Sequence, residues 1–233
     1  MGNRVKKEAI IDTFLFFFLS LVLIGLLPVL FGQLMVAALT KLHLAPDAIM
    51  ALVMAIIFGG FINLPIKRIV RDQPVTTHPL RVYGLHGLAP QWQREHSETI
   101  IAVNVGGCIV PSLLALYELA HLDFADPQLL TALVVVVGVN IFACFRFSKP
   151  VAGVGIVMPT LVSPLVASVG ALLLCPEQAA PVAFIAGVSG PLIGADLLHL
   201  KKIEEIAVGT ASIGGAGTFD GIVLSGIIAA YLA

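Results

Sequence analysis

Apolar runs close to twenty residues long recur from one end of this chain to the other. The stretch TFLFFFLSLVLIGLLPVLFG, residues 13–32, contains no charged residue. In hydrocarbon every backbone N–H and C=O must find its partner within the chain, so runs of this length become helices. Composition agrees: 58% of the 233 residues are hydrophobic and 12% are charged, against about 25% charged in soluble domains. Mean hydropathy is +1.02. No polar segment is long enough to build a second core, so one polytopic membrane domain over 1–233 is expected. A net charge of -1 gives no case for nucleic-acid binding.

The expected fold class is all-α integral membrane. Hydropathy places about seven helices, at 10–38, 46–66, 98–120, 128–146, 151–175, 180–200 and 207–233. Pro46, Pro65, Pro127, Pro150 and Pro181 fall at or near their boundaries, where a missing N–H does little harm. The basic N-terminus resembles a signal peptide, but its apolar run is too long and lacks a small-residue cleavage site, so a retained first helix is expected. With the N-terminus in the cytoplasm, twelve of thirteen basic residues lie inside and only Lys41 outside, while Asp47, Asp123, Asp126 and Glu177 face the other side. This positive-inside pattern fits an odd helix count and an external C-terminus.

The sizeable polar segment is 67–97, expected as a cytoplasmic loop with Tyr83 and Trp92 as interfacial anchors. Its His78, His86 and His96 are irregularly spaced for a metal site. Cys108, Cys144 and Cys175 show no metal-ligand spacing and are expected as buried free thiols. No metal and no organic cofactor is implied.

Two acids stand inside apolar stretches: Asp196 in SGPLIGADLLHL and Asp220 in GGAGTFDGIVLSG. An intramembrane carboxylate costs a few kcal/mol and is a functional-site candidate by default. Asp196 lies five residues before Lys201, about 7 Å inside the end of a helical segment. Asp220 falls near mid-bilayer on a continuous helix. The short link HLKKIEEIAVG makes their two segments antiparallel neighbours, so the acids are expected in one site. Two carboxylates in a low dielectric do not both ionise easily and would share a proton. That suits a proton-coupled carrier, or an aspartyl hydrolase with Asp196 and Asp220 as the catalytic pair. The structural alternative has each acid capping a broken helix.

The backbone around them is rich in helix breakers. Gly194 precedes Asp196, and Gly214, Gly215, Gly217 and Thr218 precede Asp220. Asn104 stands beside Gly106 and Gly107 in a third span. These eight residues are the expected solute-contacting wall, because unwound backbone at membrane depth is tolerated where it lines a cavity. His199, three residues after Asp196, lacks a third metal ligand. No GxSxG, HExxH or P-loop pattern is present.

The segments GVGIVMPTLVSPLVA, PLIGADLLHL and SIGGAGTFDGIVLSGIIA, with VNVGGCIVP and INLPI, resemble the prokaryotic membrane family called domain of unknown function 1614. The resemblance implies a multi-pass protein of a prokaryotic cell (inner) membrane and brings no established activity. A fainter similarity is to the GxGD intramembrane aspartyl proteases, carried by Gly194-Ala195-Asp196-Leu197-Leu198-His199-Leu200. Ala195 stands where that motif has glycine, and Asp220 follows Thr218-Phe219 rather than a GxG. The expected function is therefore a small-solute or proton-coupled transporter. The alternatives are an intramembrane aspartyl hydrolase and a non-catalytic scaffold. The expected partners are the lipid bilayer and an unidentified small solute or membrane substrate; oligomeric state is not legible.

Overall fold

The computed structural model describes residues 2–74, 94–151, 155–202 and 209–233. Among them the chain is mostly helical, with seven α-helices: α1 (Gly2–Leu39), α2 (Pro46–Gly59), α3 (Val110–His121), α4 (Pro127–Phe147), α5 (Val162–Leu174), α6 (Ala179–Ser189) and α7 (Gly221–Leu232). A π-helical turn, Val105–Ile109, leads directly into α3. α6 runs on through a second π segment, Gly190–Asp196, and a 3-10 turn, Leu197–His199.

Three helices are long and apolar enough to cross a membrane: Phe14–Leu39, Pro127–Phe147 and Pro176–Lys202. The other apolar helices, Pro46–Gly59, Val105–His121, Val162–Leu174 and Gly221–Leu232, are shorter. At 1.5 Å per residue they cover about 18–26 Å, less than the roughly 30 Å of hydrocarbon.

The shortfall marks where an all-helical expectation fails. Strands β1 (Asn63–Pro74), β2 (Arg94–Asn104) and β5 (Gly209–Ile213) form a sheet of order β1-β2-β5, antiparallel between β1 and β2 and parallel between β2 and β5. β3 (Lys149–Val151) and β4 (Gly155–Val157) form a small antiparallel pair. The helix expected at 46–66 thus ends at Gly59, and those expected at 98–120, 151–175 and 207–233 each begin as strand. Segments such as TIIAVN and GTASI are apolar but short and β-branched, and a hydropathy sum cannot tell such a strand from part of a helix. The segment 67–97 is likewise not a plain loop, because β1 runs out to Pro74 and β2 returns from Arg94. His78, Tyr83, His86 and Trp92 lie outside the described residues.

α6 is the central helix. Every residue from Ala179 to Val188 is buried, and its small residues let neighbours approach closely: a Cβ on Gly187 would lie 2.7 Å from the Ser225 carbonyl oxygen of α7. Pro191 has no N–H, and polar side chains serve the carbonyls one turn before it. Asn140 of α4 donates to the Ala186 oxygen (2.7 Å) and to Ser163 Oγ (2.9 Å), and Ser163 of α5 also pairs with Ser225 of α7. α4 is cleanly delimited: Asp126 accepts from the Gln128 N–H (2.8 Å) at its start, and Ser148 Oγ donates to the Cys144 oxygen (2.6 Å) at its end. Its outer face, with Val134, Val135, Val139 and Phe142, is exposed, as is most of α1 from Phe14 to Leu30. Apolar faces of that extent suit lipid contact.

Candidate functional site

Three of the passages between sheet and helices are built from glycine. Gly59-Gly60 ends α2, Gly106-Gly107 opens the π turn before α3, and Gly214–Gly217 joins β5 to α7. A Cβ on Gly106 would strike the Ile56 oxygen and Gly60 nitrogen, and one on Gly107 would strike the Gly214 oxygen. Gly214 and Gly217 also have φ of +73° and +60°, which side-chain-bearing residues rarely adopt. Asn104 buckles these crossings together. Its Oδ1 accepts from the Gly107 N–H (2.7 Å), and its Nδ2 donates to the Gly60 oxygen (2.8 Å) and to Asn63 Oδ1 (3.1 Å). Ser212 Oγ donates to the same Asn63 oxygen at 2.6 Å.

Beside this hub lies a partly open cavity of about 640 Å³, within the usual range for small-molecule sites. Five structural pieces wall it: Asn63 and Ile101 of the sheet, β4 with Met158 and Thr160, the π segment of α6, β5 with its following turn, and the first turn of α7. Asp196 and Asp220 both line it, and Asp220 acts electrostatically on Asp196. They are the charged groups among the described lining residues, which include no Lys, Arg or His.

The two acids are held differently. Asp220 is the N-cap of α7 rather than a mid-helix residue. Its Oδ1 accepts from the Ile222 N–H (3.0 Å) and its Oδ2 from the Ala216 N–H (3.3 Å). The positive end of the helix dipole adds to this stabilisation. Asp196 closes the π segment of α6, where the wide turn around Pro191 and Gly194 sets its side chain on the cavity wall. Among the described residues nothing hydrogen-bonds its carboxylate. Gly194 fits where it does because α4 passes against it: a Cβ there would meet the Ile141 oxygen and lie 2.9 Å from Cys144 Cβ.

Of the remaining expected wall residues, Gly214 and Gly215 line the cavity. Asn104, Gly106, Gly107, Gly194, Gly217 and Thr218 stand outside its lining, the first three in the hub behind it. His199 is buried, with its Nδ1 against the Ala195 oxygen (2.9 Å) and its ring stacked on Phe145, so it is a packing residue. Among the described residues no cluster of His, Cys, Asp or Glu is arranged to hold a metal. Cys108, Cys144 and Cys175 are buried free thiols. Asn63 and Ser212, an amide and a hydroxyl within apolar stretches of the sequence, also line the cavity.

The chain belongs to the family described as Protein of unknown function (DUF1614), whose model matches residues 57–232. That span contains every residue named here as lining the cavity. No curated protein and no solved structure matches the chain.

Proposed function

We propose that this protein is a multi-pass carrier of a prokaryotic cell membrane, which takes a small cationic solute into the two-aspartate cavity and exchanges it for a proton on Asp196. One observation carries the reading: Asp196 faces a solute-sized cavity with no hydrogen-bond partner and no basic lining group among the described residues. A carboxylate so placed gains most from a cation or a proton, either of which supplies the missing partner. Asp220 adds negative charge while remaining fixed as a helix cap.

The proposed topology has seven crossings in one domain, N-terminus inside and C-terminus outside. The distribution of basic residues supports it. Lys67 and Arg68 on the sheet, Arg146 in the last turn of α4 and Lys149 just after it, and Lys201 and Lys202 after α6 all fall toward the end where strands replace helix. Four crossings then pair a short helix with strand or irregular chain at that end. Non-helical backbone of this kind is tolerated at a protein-lined cavity. The cavity would open toward the cytoplasmic half.

The test uses purified protein in liposomes loaded with a pH-reporting dye, with imposed gradients of Na⁺, K⁺ or methylammonium. At least one cation should drive proton movement, and Asp196→Asn should abolish it. Movement unchanged in Asp196→Asn, or movement with none of the three cations, would sink the carrier reading. A second reading, aspartyl hydrolysis, draws on both carboxylates lining one cavity. Cleavage of a fluorogenic transmembrane peptide, lost in both Asp196→Asn and Asp220→Asn, would replace the first. Against it stands Asp220, whose two oxygens are already bonded to backbone N–H groups.

A further inference from the structure

At the other end of the helical layer, the turn 40–45 between α1 and α2 is tied across the ends of α3 and α7. Glu118, in the last turn of α3, is completely buried. One of its oxygens, Oε2, lies 2.9 Å from His43 Nδ1 and accepts the His43 backbone N–H at 3.3 Å. The other, Oε1, is buried with no hydrogen-bond partner among the described residues. Tyr117 Oη donates to the His43 carbonyl (2.9 Å), and the His121 ring packs on Tyr117, its centroid 6.2 Å from that of His43. Two residues before His43, Lys41 Nζ donates to the Tyr231 carbonyl at the end of α7 (2.7 Å). Leu42 is buried in the core, and Leu44 packs against it. The titratable and charged groups around the pair are thus Lys41 on the turn, Tyr117 and His121 on α3, and Tyr231 on α7.

A buried carboxylate with one oxygen unserved depends strongly on whatever partner the other oxygen has. Here that partner is a histidine, the side chain whose charge most often changes near neutral pH. His43 is about one-third exposed, so solvent protons reach it. We propose that His43 and Glu118 form a proton-binding site that works as a strap. With a proton on His43 the turn 40–45 is cinched onto α3. When the proton leaves to solvent the charge-assisted bond falls to one between a neutral imidazole and a carboxylate, and the turn loosens on α3. Lys41 extends the effect to α7, whose opposite end carries Asp220 in the cavity. The strap does not depend on the carrier reading, since it is built from residues outside the cavity lining.

The test places a nitroxide on Ala45→Cys, an exposed position, in protein reconstituted into lipid vesicles; the three native thiols are buried. Spin-label mobility is followed from about pH 5.5 to about pH 8.5, which brackets histidine titration. The mobile-to-immobile ratio should rise with pH, by at most about tenfold per pH unit for a single proton. His43→Gln and Glu118→Gln should each flatten the profile, while His121→Gln should leave it in place. A flat profile in the Ala45→Cys parent, or a transition that survives His43→Gln, overturns the proposal. Should Glu118→Gln fail to fold, His43→Gln alone decides, since Gln keeps a hydrogen-bonding side chain at that exposed position and removes only the titration.

Discussion

Asn104→Ala removes three hydrogen bonds at once from a fully buried position. Asn63 Oδ1 keeps a donor in Ser212. The Gly107 N–H and the Gly60 carbonyl lose their side-chain partner, in a hub too tight for solvent to replace it: a Cβ on Gly59 would lie 2.8 Å from the Gly106 nitrogen. Each buried group left unpaired costs about 1–3 kcal/mol, so the substitution should cost about 2–6 kcal/mol. For a chain of this size that is a fall in Tm of roughly 5–20 °C. The buried thiols Cys108, Cys144 and Cys175 give the readout, since a thiol-reactive fluorogenic dye reports their exposure as detergent-solubilised protein is heated. Asn104→Asp should fall at least as far. It keeps an acceptor for Gly107 but sets a carboxylate against the Gly60 and Asn63 oxygens. A Tm within about 2 °C of wild type for Asn104→Ala would refute the reasoning that Asn104 clamps the three crossings.

The same assay checks three further expectations. Gly214→Ala should cost more than about 3 kcal/mol, because φ is +73° and the new Cβ would lie 2.6 Å from the Gly107 carbonyl carbon, whereas Gly221→Ala, with open space, should stay within about 0.5 kcal/mol. Asp220→Ala should lose about 0.5–2 kcal/mol as a helix cap and Asp220→Asn much less, while Asp196→Asn should cost nothing measurable; equal losses for Asp220→Ala and Asp196→Asn would contradict the asymmetry of the two acids. Ser163→Ala should cost about 1–3 kcal/mol by stripping partners from both Asn140 and Ser225.

What the sequence makes legible here follows from which interactions are local. Apolar run length is local, and each of the seven described α-helices falls within or overlaps an apolar run. Proline and Asp caps are local too, and Pro46, Asp126 and Pro127 stand at helix starts. Strand pairing is not local: Asn63 meets Asn104 and Thr99 meets Gly209 across long separations. So the sheet, and the helix lengths it shortens, were invisible to hydropathy. The glycines were visible as breakers, but whether each borders the cavity or lets two backbones cross depends on what lies opposite. Gly107 against Gly214 is such a crossing, and Gly215 is cavity wall.

The acids show the limit most clearly. A carboxylate in an apolar run stands out in a sequence because it is costly, and that criterion selects Asp196 and Asp220. Glu118, in LALYELAH, satisfies it equally but lacks the glycine-rich surroundings that drew attention to the other two. In the folded chain a different quantity separates the three: how many of a carboxylate's oxygens the protein has already bonded. Asp220 has both occupied by backbone N–H groups, which makes it a helix cap. Glu118 has one occupied, by the ring and backbone N–H of His43, which makes it a tie between the turn 40–45 and α3. Asp196 has neither occupied among the described residues, and it faces the cavity. Unmet bonding capacity at a cavity wall is what a solute or a proton fills. On that scale Asp196 is the residue whose substitution should alter what the protein binds while leaving how it folds almost untouched.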